Sequence, residues 1–249
     1  LELSTKSGLL EEIGQDVDNA YIKACSKLSL SDKRNVSIAY TPLHGCGSTS
    51  VLKVLNSLGF TISVDPKTAN PSGKFENITF NIPNPEVIQS FETPLEHARE
   101  INANIILNSD PDADRIGIMI KNNNKYEFLN GNEIGIVLTQ YVIDKKKDKL
   151  AGQGVIVKTQ VTSGLITKIA EQNNMRCIGD LLVGFKFIGE VMNQLEKEGK
   201  IDNFLFGAEE SHGFLAGNYV RDKDAVLPAI WPSELAAELK DQKLTIIDY

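Results

Sequence analysis

Residues 35–64 read NVSIAYTPLHGCGSTSVLKVLNSLGFTISV and set the class of fold. Alternating apolar residues at 35–40 predict a strand, and the Pro- and Gly-containing residues 41–47 predict a loop. Residues 48–58 then predict a helix, and residues 61–64 predict a second strand. This order is typical of a parallel sheet with helices packed on its faces. We therefore expect an α/β protein.

The same pattern continues along the rest of the chain. It predicts helices at 8–30, 85–101 (disturbed by Pro94), 131–144, 163–172, 187–197 and 222–240, and strands at 104–107, 116–120, 154–158, 175–179 and 203–207. Lys145, Lys146 and Lys147 are expected to form a solvated turn after the fourth helix. We place a domain boundary near residue 129. The expected architecture is two consecutive α/β domains of similar topology, residues 1–129 and 130–249, with mixed or parallel sheets.

The composition of the 249 residues argues against several classes of protein. A net charge of −7 argues against binding to nucleic acid or to an anionic membrane. No apolar run approaches the roughly 18 residues of a membrane span. The three cysteines, Cys25, Cys46 and Cys177, form no CxxC pair, which favours free thiols in the cytoplasm. The chain starts without Met or a signal peptide, so we expect a piece of a longer protein.

Ser109-Asp-Pro-Asp-Ala-Asp-Arg115 carries the strongest chemical signal. Asp110, Asp112 and Asp114 alternate, so an extended backbone directs all three carboxylates to one side. Three like charges in one place require a cation, and oxygen ligands favour Mg²⁺, Mn²⁺ or Ca²⁺ over zinc. The loop also follows a predicted strand, where open α/β sheets bind ligands.

Other interpretations of this loop fit its residues less well. An EF-hand starting at Asp110 would need Gly at the position of Arg115 and Glu at the position of Lys121. A haloacid-dehalogenase-type phosphatase would place its aspartates directly after the strand, whereas Asn108 and Ser109 are expected to intervene here. A solvated acidic turn without a cation remains a further alternative.

A second polar loop, Phe206-Gly-Ala-Glu-Glu-Ser-His-Gly213, follows another predicted strand. Glu209 and Ser211 can direct their side-chain oxygens the same way, and a carboxylate can accept hydrogen bonds from two adjacent sugar hydroxyls. The alternative is a surface turn that carries acidic residues. His212 is expected to be a packed or exposed residue without a catalytic role rather than an acid–base group.

Two basic segments accompany the second loop. Lys186 lies between two glycines at an expected strand-to-helix turn, and its aliphatic stem could alternatively pack along the core. Arg221-Asp-Lys-Asp224 is expected to begin the last helix, where Arg221 and Lys223 could bind an anion. The alternative is simple capping of that helix by Asp222.

The loop Pro42-Leu-His-Gly-Cys-Gly-Ser-Thr49 only superficially indicates nucleotide binding. Gly45 and Gly47 lack a third glycine, because Ser50 occupies its place, and no Walker lysine follows. The geometry of a tight turn is expected to explain both glycines. The alternative of a dinucleotide-dependent oxidoreductase is therefore supported by this loop alone.

Taken together, these segments resemble the α-D-phosphohexomutase family, which includes phosphoglucomutases and phosphomannomutases. The ordered signature is Thr41-Pro-Leu-His-Gly45, Pro83-Asn-Pro-Glu86, Asp110-Pro-Asp-Ala-Asp-Arg115, Gly184-Phe-Lys186, Glu209-Glu-Ser-His-Gly213 and Arg221-Asp-Lys-Asp224. Each segment alone is a weak signal, but six in this order and spacing are specific. The resemblance covers the second and third of the family's four domains.

The resemblance implies roles for nine residues of this signature. Asp110, Asp112 and Asp114 would hold Mg²⁺, with Mn²⁺ as a possible substitute. Arg115 and Lys186 would act beside the reacting phosphate, and the substrate-binding residues would be Glu209, Ser211, Arg221 and Lys223. The implied reaction interconverts hexose 1-phosphate and hexose 6-phosphate through an enzyme phosphoserine and a hexose 1,6-bisphosphate. Glucose and mannose are not distinguished by these motifs.

The family's phosphoserine loop, Thr-x-Ser-His-Asn-Pro, and its phosphate clamp, Arg-x-Ser-Gly-Thr, belong to the first and fourth domains. Neither run occurs in the 249 residues. We therefore expect the isolated chain to be inactive and to require domains 1 and 4 of its parent as partners. The alternatives are a non-catalytic module that binds phosphosugar or metal, and a haloacid-dehalogenase-like sugar phosphatase.

Overall fold

A computed structural model describes residues 7–10, 13–150 and 152–249 and contains two α/β units in succession. The elements of the first unit are α1 (Gln15–Ser26), β1 (Ser37–Thr41), α2 (Val51–Ser57), β2 (Thr61–Val64), α3 (Glu92–Glu100), β3 (Ile105–Ser109), β4 (Ile116–Asn122) and β5 (Lys125–Leu129). Those of the second are α4 (Gly131–Leu150), β6 (Val155–Thr159), α5 (Gly164–Gln172), β7 (Arg176–Leu181), α6 (Phe185–Lys197), β8 (Phe204–Glu209), β9 (Gly213–Leu215) and α7 (Val226–Asp241).

Each unit is built on one mixed sheet. The first sheet has the order β2-β1-β3-β4-β5, in which β1 is parallel to β2 and β3, whereas β4 and β5 are antiparallel to their neighbours. The second has the order β7-β6-β8-β9, with two parallel pairs and an antiparallel β9. Two consecutive α/β domains with mixed sheets are therefore confirmed. The antiparallel edge strands β5 and β9 were not predicted.

One apolar core runs through both units. Buried side chains of β1 and β3 join the same cluster as Phe206, Phe214 and Trp231 of the second unit. The rings of Phe206 and Phe214 are stacked 5.8 Å apart, and Trp231 packs on Phe206. Burial of each such side chain stabilises the fold by about 1.5–3 kcal/mol. The shared core thus fixes the two sheets relative to each other.

A buried carboxylate makes a second link between the units. Glu234 of α7 is inaccessible to solvent and accepts hydrogen bonds from the Leu30 amide at 2.9 Å and the Tyr141 hydroxyl at 3.3 Å. It also accepts one from the Ser29 hydroxyl and lies 3.4 Å from the Arg34 guanidinium. The segment after α1 is therefore tied to the last helix by a satisfied buried charge.

Several element boundaries differ from prediction. Helix α1 begins at Gln15 rather than residue 8, and Leu9 is exposed, whereas residues 11–12 lie outside the described ranges. The three lysines expected in a turn lie within α4, because that helix continues to Leu150. Pro94 sits in the first turn of α3, where its missing N–H breaks no helical hydrogen bond, so it does not disturb the helix.

Three further boundaries bear on the site. Strand β3 runs through Ser109, so Asp110 follows the strand directly, and the intervening residues predicted there are part of the strand. Helix α7 begins at Val226, so residues 221–224 precede the helix rather than open it. Helix α6 begins at Phe185, which places Lys186 in its first turn rather than in the preceding loop.

Within the described ranges, no helix has the length and apolarity that a membrane span requires. Cys25, Cys46 and Cys177 are all free thiols.

Candidate functional site

The acidic loop gathers its three carboxylates at the end of β3. One oxygen each from Asp110, Asp112 and Asp114 lies within 4.8 Å of the others. Asp110 is buried, Asp114 half-buried and Asp112 exposed, so the cluster opens to solvent on one side. The left-handed backbone of Ala113 folds the loop back, with its amide donating to the Asp110 carbonyl at 3.0 Å. This set of oxygens suits a hard divalent cation.

Arg115 closes the loop on its buried side. Its Nε donates to Asp110 Oδ2 at 2.7 Å, while the amides of Asp114 and Arg115 donate to Oδ1 at 3.1 and 3.0 Å. Burial raises the pKa of Asp110 to about 6, and the hydrogen bonds from Arg115 oppose that rise. Arg115 Nη1 also donates to Glu86 at 2.9 Å. The Pro83–Glu86 segment, to which the sequence assigned no role, thus orients Arg115.

The glycine loop supports the acidic loop from behind. The Cys46 amide donates to the Pro111 carbonyl at 2.8 Å, and a Cβ on Gly45 would lie 2.6 Å from the Pro111 carbonyl carbon. Gly47 likewise packs against the Tyr40 hydroxyl. Neither glycine has a positive φ. The predicted tight turn is present, because the Gly45 amide donates to the Pro42 carbonyl at 2.7 Å, but its left-handed positions are Leu43 and His44. The two glycines instead permit close approach of neighbouring groups.

Glu209 ends β8 on the other side of the site. It is 5% exposed, and its Oε1 accepts a hydrogen bond from the Gly184 amide at 2.9 Å. Burial raises the pKa of Glu209, and the Gly184 amide and the Lys223 charge oppose that rise. Ser211 lies two residues further and is half-buried. This carboxylate is thus fixed by the residue that precedes α6.

The two loops meet although they belong to different units. Arg115 and Gly213 form an antiparallel backbone bridge, and the Ile116 amide donates to the His212 carbonyl at 3.2 Å. The Ala225 amide donates to the Ala113 carbonyl at 3.1 Å. Main-chain hydrogen bonds therefore hold the acidic loop and the Glu209 loop side by side.

Lys223 extends across this junction. Its Nζ lies 2.7 Å from Asp114 Oδ2 and 3.8 Å from Asp222 Oδ1. The lysine stem passes over Gly213, where a Cβ would lie 2.6 Å from the Lys223 Cδ. A side chain at position 213 would therefore displace the Lys223 stem. Lys223 brings positive charge from the second unit to the aspartate cluster of the first.

The two other basic residues are placed differently. Arg221 turns to α6, where it donates to Glu196 and Asn193 at 2.9 Å each. Lys186 is exposed, with Nζ 5.0 Å from the centre of the Phe187 ring. Arg221 thus does not share the contact that Lys223 makes with Asp114. Asp222 does not cap α7: the first amide of the helix, that of Val226, donates to Asp224 Oδ1 at 2.8 Å.

His212 is packed into the junction. It is 2% exposed, its Nδ1 donates to the Ile116 carbonyl at 2.9 Å, and its ring stacks on Phe128. Burial lowers the pKa of His212, because the charged imidazolium is costly in a desolvated site. These contacts describe a residue that joins the two units.

Two sequence profiles match the chain. "Phosphoglucomutase/phosphomannomutase, alpha/beta/alpha domain II" matches residues 19–124, and the corresponding domain III profile matches residues 130–247. The chain is 32% identical to a phosphoglucomutase of Staphylococcus epidermidis, over 95% of this chain and 42% of that protein. It is 28% identical to a phosphomannomutase of Mycoplasmoides pirum, over 100% of this chain and 45% of that protein. The chain thus spans less than half the length of these relatives.

Solved structures show the same fold. A phosphoglucomutase/phosphomannomutase family protein from Burkholderia thailandensis superposes with a TM-score of 0.69 at 13% identity, over 89% of this chain and 44% of that one. The N-acetylphosphoglucosamine mutase of Aspergillus fumigatus, solved with GlcNAc-6P and magnesium, gives a TM-score of 0.54 at 12% identity, over 89% of this chain and 46% of that one. Its S69A variant, solved with glucose 1,6-bisphosphate, gives a TM-score of 0.57 at 12% identity, over 92% of this chain and 47% of that one.

Proposed function

The chain belongs to the phosphoglucomutase/phosphomannomutase family of α-D-phosphohexomutases, and we propose that it supplies the metal-binding and sugar-binding loops of a phosphohexomutase. The observation that carries this proposal is the junction at Arg115 and Gly213, because it joins a carboxylate cluster to a second polar loop in one site. We assign the first loop to a domain of residues 1–129 and the second to a domain of residues 130–249.

Asp110, Asp112 and Asp114 are proposed to hold Mg²⁺, and Mn²⁺ would meet the same oxygen ligands. The fit rests on three carboxylates whose oxygens lie within 4.8 Å of one another, with no nitrogen or sulfur donor among them. The magnesium complex of the Aspergillus fumigatus mutase supports this choice of ion. When bound, the ion would neutralise negative charge on a phosphate group at the site.

The hexose phosphate is proposed to lie between the two loops. Glu209 has one oxygen engaged with the Gly184 amide, and its other oxygen can accept a sugar hydroxyl, with Ser211 beside it. Lys223, which lies beside Asp114, would bind phosphate. Arg221 would bind phosphate as well, after its ion pair with Glu196 breaks. Arg115 and Lys186 would stabilise charge on the transferring group.

The proposed reaction of the parent enzyme moves a phosphoryl group between O1 and O6 of a hexose, through an enzyme phosphoserine and a hexose 1,6-bisphosphate. Positioning and electrostatic stabilisation supply most of the rate of such transfers. The phosphoserine and clamp sequences are not among the 249 residues, so domains 1 and 4 are the proposed partners. We place the enzyme in the cytoplasm, which suits three free cysteines.

A calorimetric titration with Mg²⁺ tests the metal assignment. The chain should bind one ion, Asp112→Asn should abolish binding, and the control Asp202→Asn, at another exposed aspartate, should not. Unchanged affinity in Asp112→Asn would remove the metal assignment.

A turnover assay separates the alternatives. With glucose 1-phosphate and a catalytic amount of glucose 1,6-bisphosphate, the 249-residue chain should form neither glucose 6-phosphate nor inorganic phosphate. Release of inorganic phosphate would favour a phosphatase, and rapid isomerisation would contradict the proposed need for partner domains.

A further inference from the structure

A buried cluster lies directly behind Lys223. The next residue, Asp224, is 7% exposed, and its Oδ2 accepts hydrogen bonds from the hydroxyls of Tyr21 at 2.7 Å and Tyr219 at 2.8 Å. The two rings pack against each other with centroids 6.2 Å apart. Tyr21 belongs to α1 of the first unit, 203 residues away in sequence. The carboxylate is therefore held from both units.

The backbone on either side of this cluster is fixed as well. The Asp224 amide donates to the Phe214 carbonyl at 3.0 Å, and the following amide, of Ala225, donates to the Ala113 carbonyl in the acidic loop at 3.1 Å. Asp224 Oδ1 caps the Val226 amide. The backbone is therefore fixed at the two residues that follow Lys223, Asp224 and Ala225. From this fixed position the Lys223 side chain extends to Asp114.

We propose that Tyr21, Tyr219 and Asp224 are positioning residues that hold Lys223 against Asp114 and so set the positive charge at the metal cluster. This inference rests on the proposed function of the three aspartates. A buried carboxylate with three donors has one stable position, and loss of a donor loosens the turn that carries Lys223.

The expected sign of the effect follows from charge. An ammonium 2.7 Å from Asp114 repels a divalent cation bound by the same cluster and competes for that carboxylate. Lys223→Met should therefore bind Mg²⁺ about tenfold more tightly than the parent chain. Tyr21→Phe, which frees Lys223 without removing it, should bind Mg²⁺ about threefold more tightly. Damage to the fold alone would weaken binding instead.

The experiment is a double-mutant cycle on the 249-residue chain, with Mg²⁺ affinity measured by calorimetry. Tyr21→Phe should tighten binding in the parent background and have no effect in the Lys223→Met background, because the group it positions is gone. Tyr219→Phe should behave in the same way. The control is Tyr126→Phe, since that hydroxyl donates to the Ala103 carbonyl at 2.7 Å away from Lys223, and it should leave the affinity unchanged.

Two failures remain distinguishable. If Asp112→Asn binds Mg²⁺ like the parent, the aspartate cluster is not the metal site and the proposed function fails. If Asp112 is required but Tyr21→Phe and Tyr219→Phe leave affinity unchanged or weaken it, or act equally without Lys223, the positioning role is overturned.

Discussion

Gly45→Ala should disrupt the proposed metal site although Gly45 supplies no ligand. A Cβ at this position would lie 2.6 Å from the Pro111 carbonyl carbon and closer still to two other Pro111 backbone atoms. Non-bonded carbon atoms are unstrained from about 3.5 Å, so the glycine loop and the acidic loop must separate by about 1 Å. Pro111 lies between Asp110 and Asp112, and backbone atoms cannot rotate out of the way as a side chain can.

The size of the effect follows from this displacement. Sites that bind metals hold their ligands within about 0.5 Å of the productive geometry, and loss of a supporting contact lowers metal affinity by about 10- to 100-fold. The overpacked contact should also lower the free energy of unfolding by about 1–3 kcal/mol. The loss of metal affinity should thus exceed what the modest loss of stability explains.

Calorimetric titration with Mg²⁺ and thermal unfolding followed by circular dichroism measure the two effects separately. Gly164→Ala is the matched control, because a Cβ there has no atom within 4 Å and the residue has no positive φ. Its Mg²⁺ affinity should equal that of the parent. A folded Gly45→Ala chain that binds Mg²⁺ within about twofold of the parent would refute the supporting role of the glycine loop.

Two further predictions concern pH and stability. Because burial raises the pKa of Asp110 to about 6, protons compete with the metal as the pH falls through that value. Calorimetry should show a Mg²⁺ affinity that is constant at neutral pH and reduced below about pH 6. An affinity unchanged at low pH would contradict this. Glu234→Ala leaves the Leu30 amide and the Tyr141 hydroxyl without their buried acceptor, so denaturant unfolding should show a free energy of unfolding lower by about 3–5 kcal/mol. The exposed control Lys200→Ala should lower it by less than about 1 kcal/mol. Equal losses would show that this carboxylate does not link the units.

Much of the fold could be predicted from hydrophobic periodicity. The strand expected at residues 61–64 is β2, and the helix expected at 163–172 is α5. Strand β9 was missed because three residues are too few to show a period, and they are defined by pairing with β8. Lys145, Lys146 and Lys147 are predicted to form a turn but lie in α4, because lysine is a good helix former and is favoured near a helix C-terminus.

The site was predictable where its residues are close in sequence. Alternation of aspartates over five positions correctly predicted their oxygens near one point, although a turn at Ala113 rather than an extended backbone brings them together. The end of β3 places them at the edge of the sheet. The contact of Arg115 with Glu86 spans 29 residues and that of Tyr21 with Asp224 spans 203. Such pairs depend on how whole units pack, and no local pattern in the sequence reports them.

The shared site can be tested directly with Mn²⁺, whose unpaired electrons broaden the NMR signals of nearby amides. Amides of Ala113 in the acidic loop and of Gly184 and Gly213 in the second unit should broaden together. Lys147 should not, because it lies near the far end of α4, a 20-residue helix about 30 Å long whose first residue packs against Glu210. In Asp112→Asn all broadening should disappear. Broadening that spares Gly184 and Gly213, or that persists in Asp112→Asn, would contradict a metal site shared by the two loops.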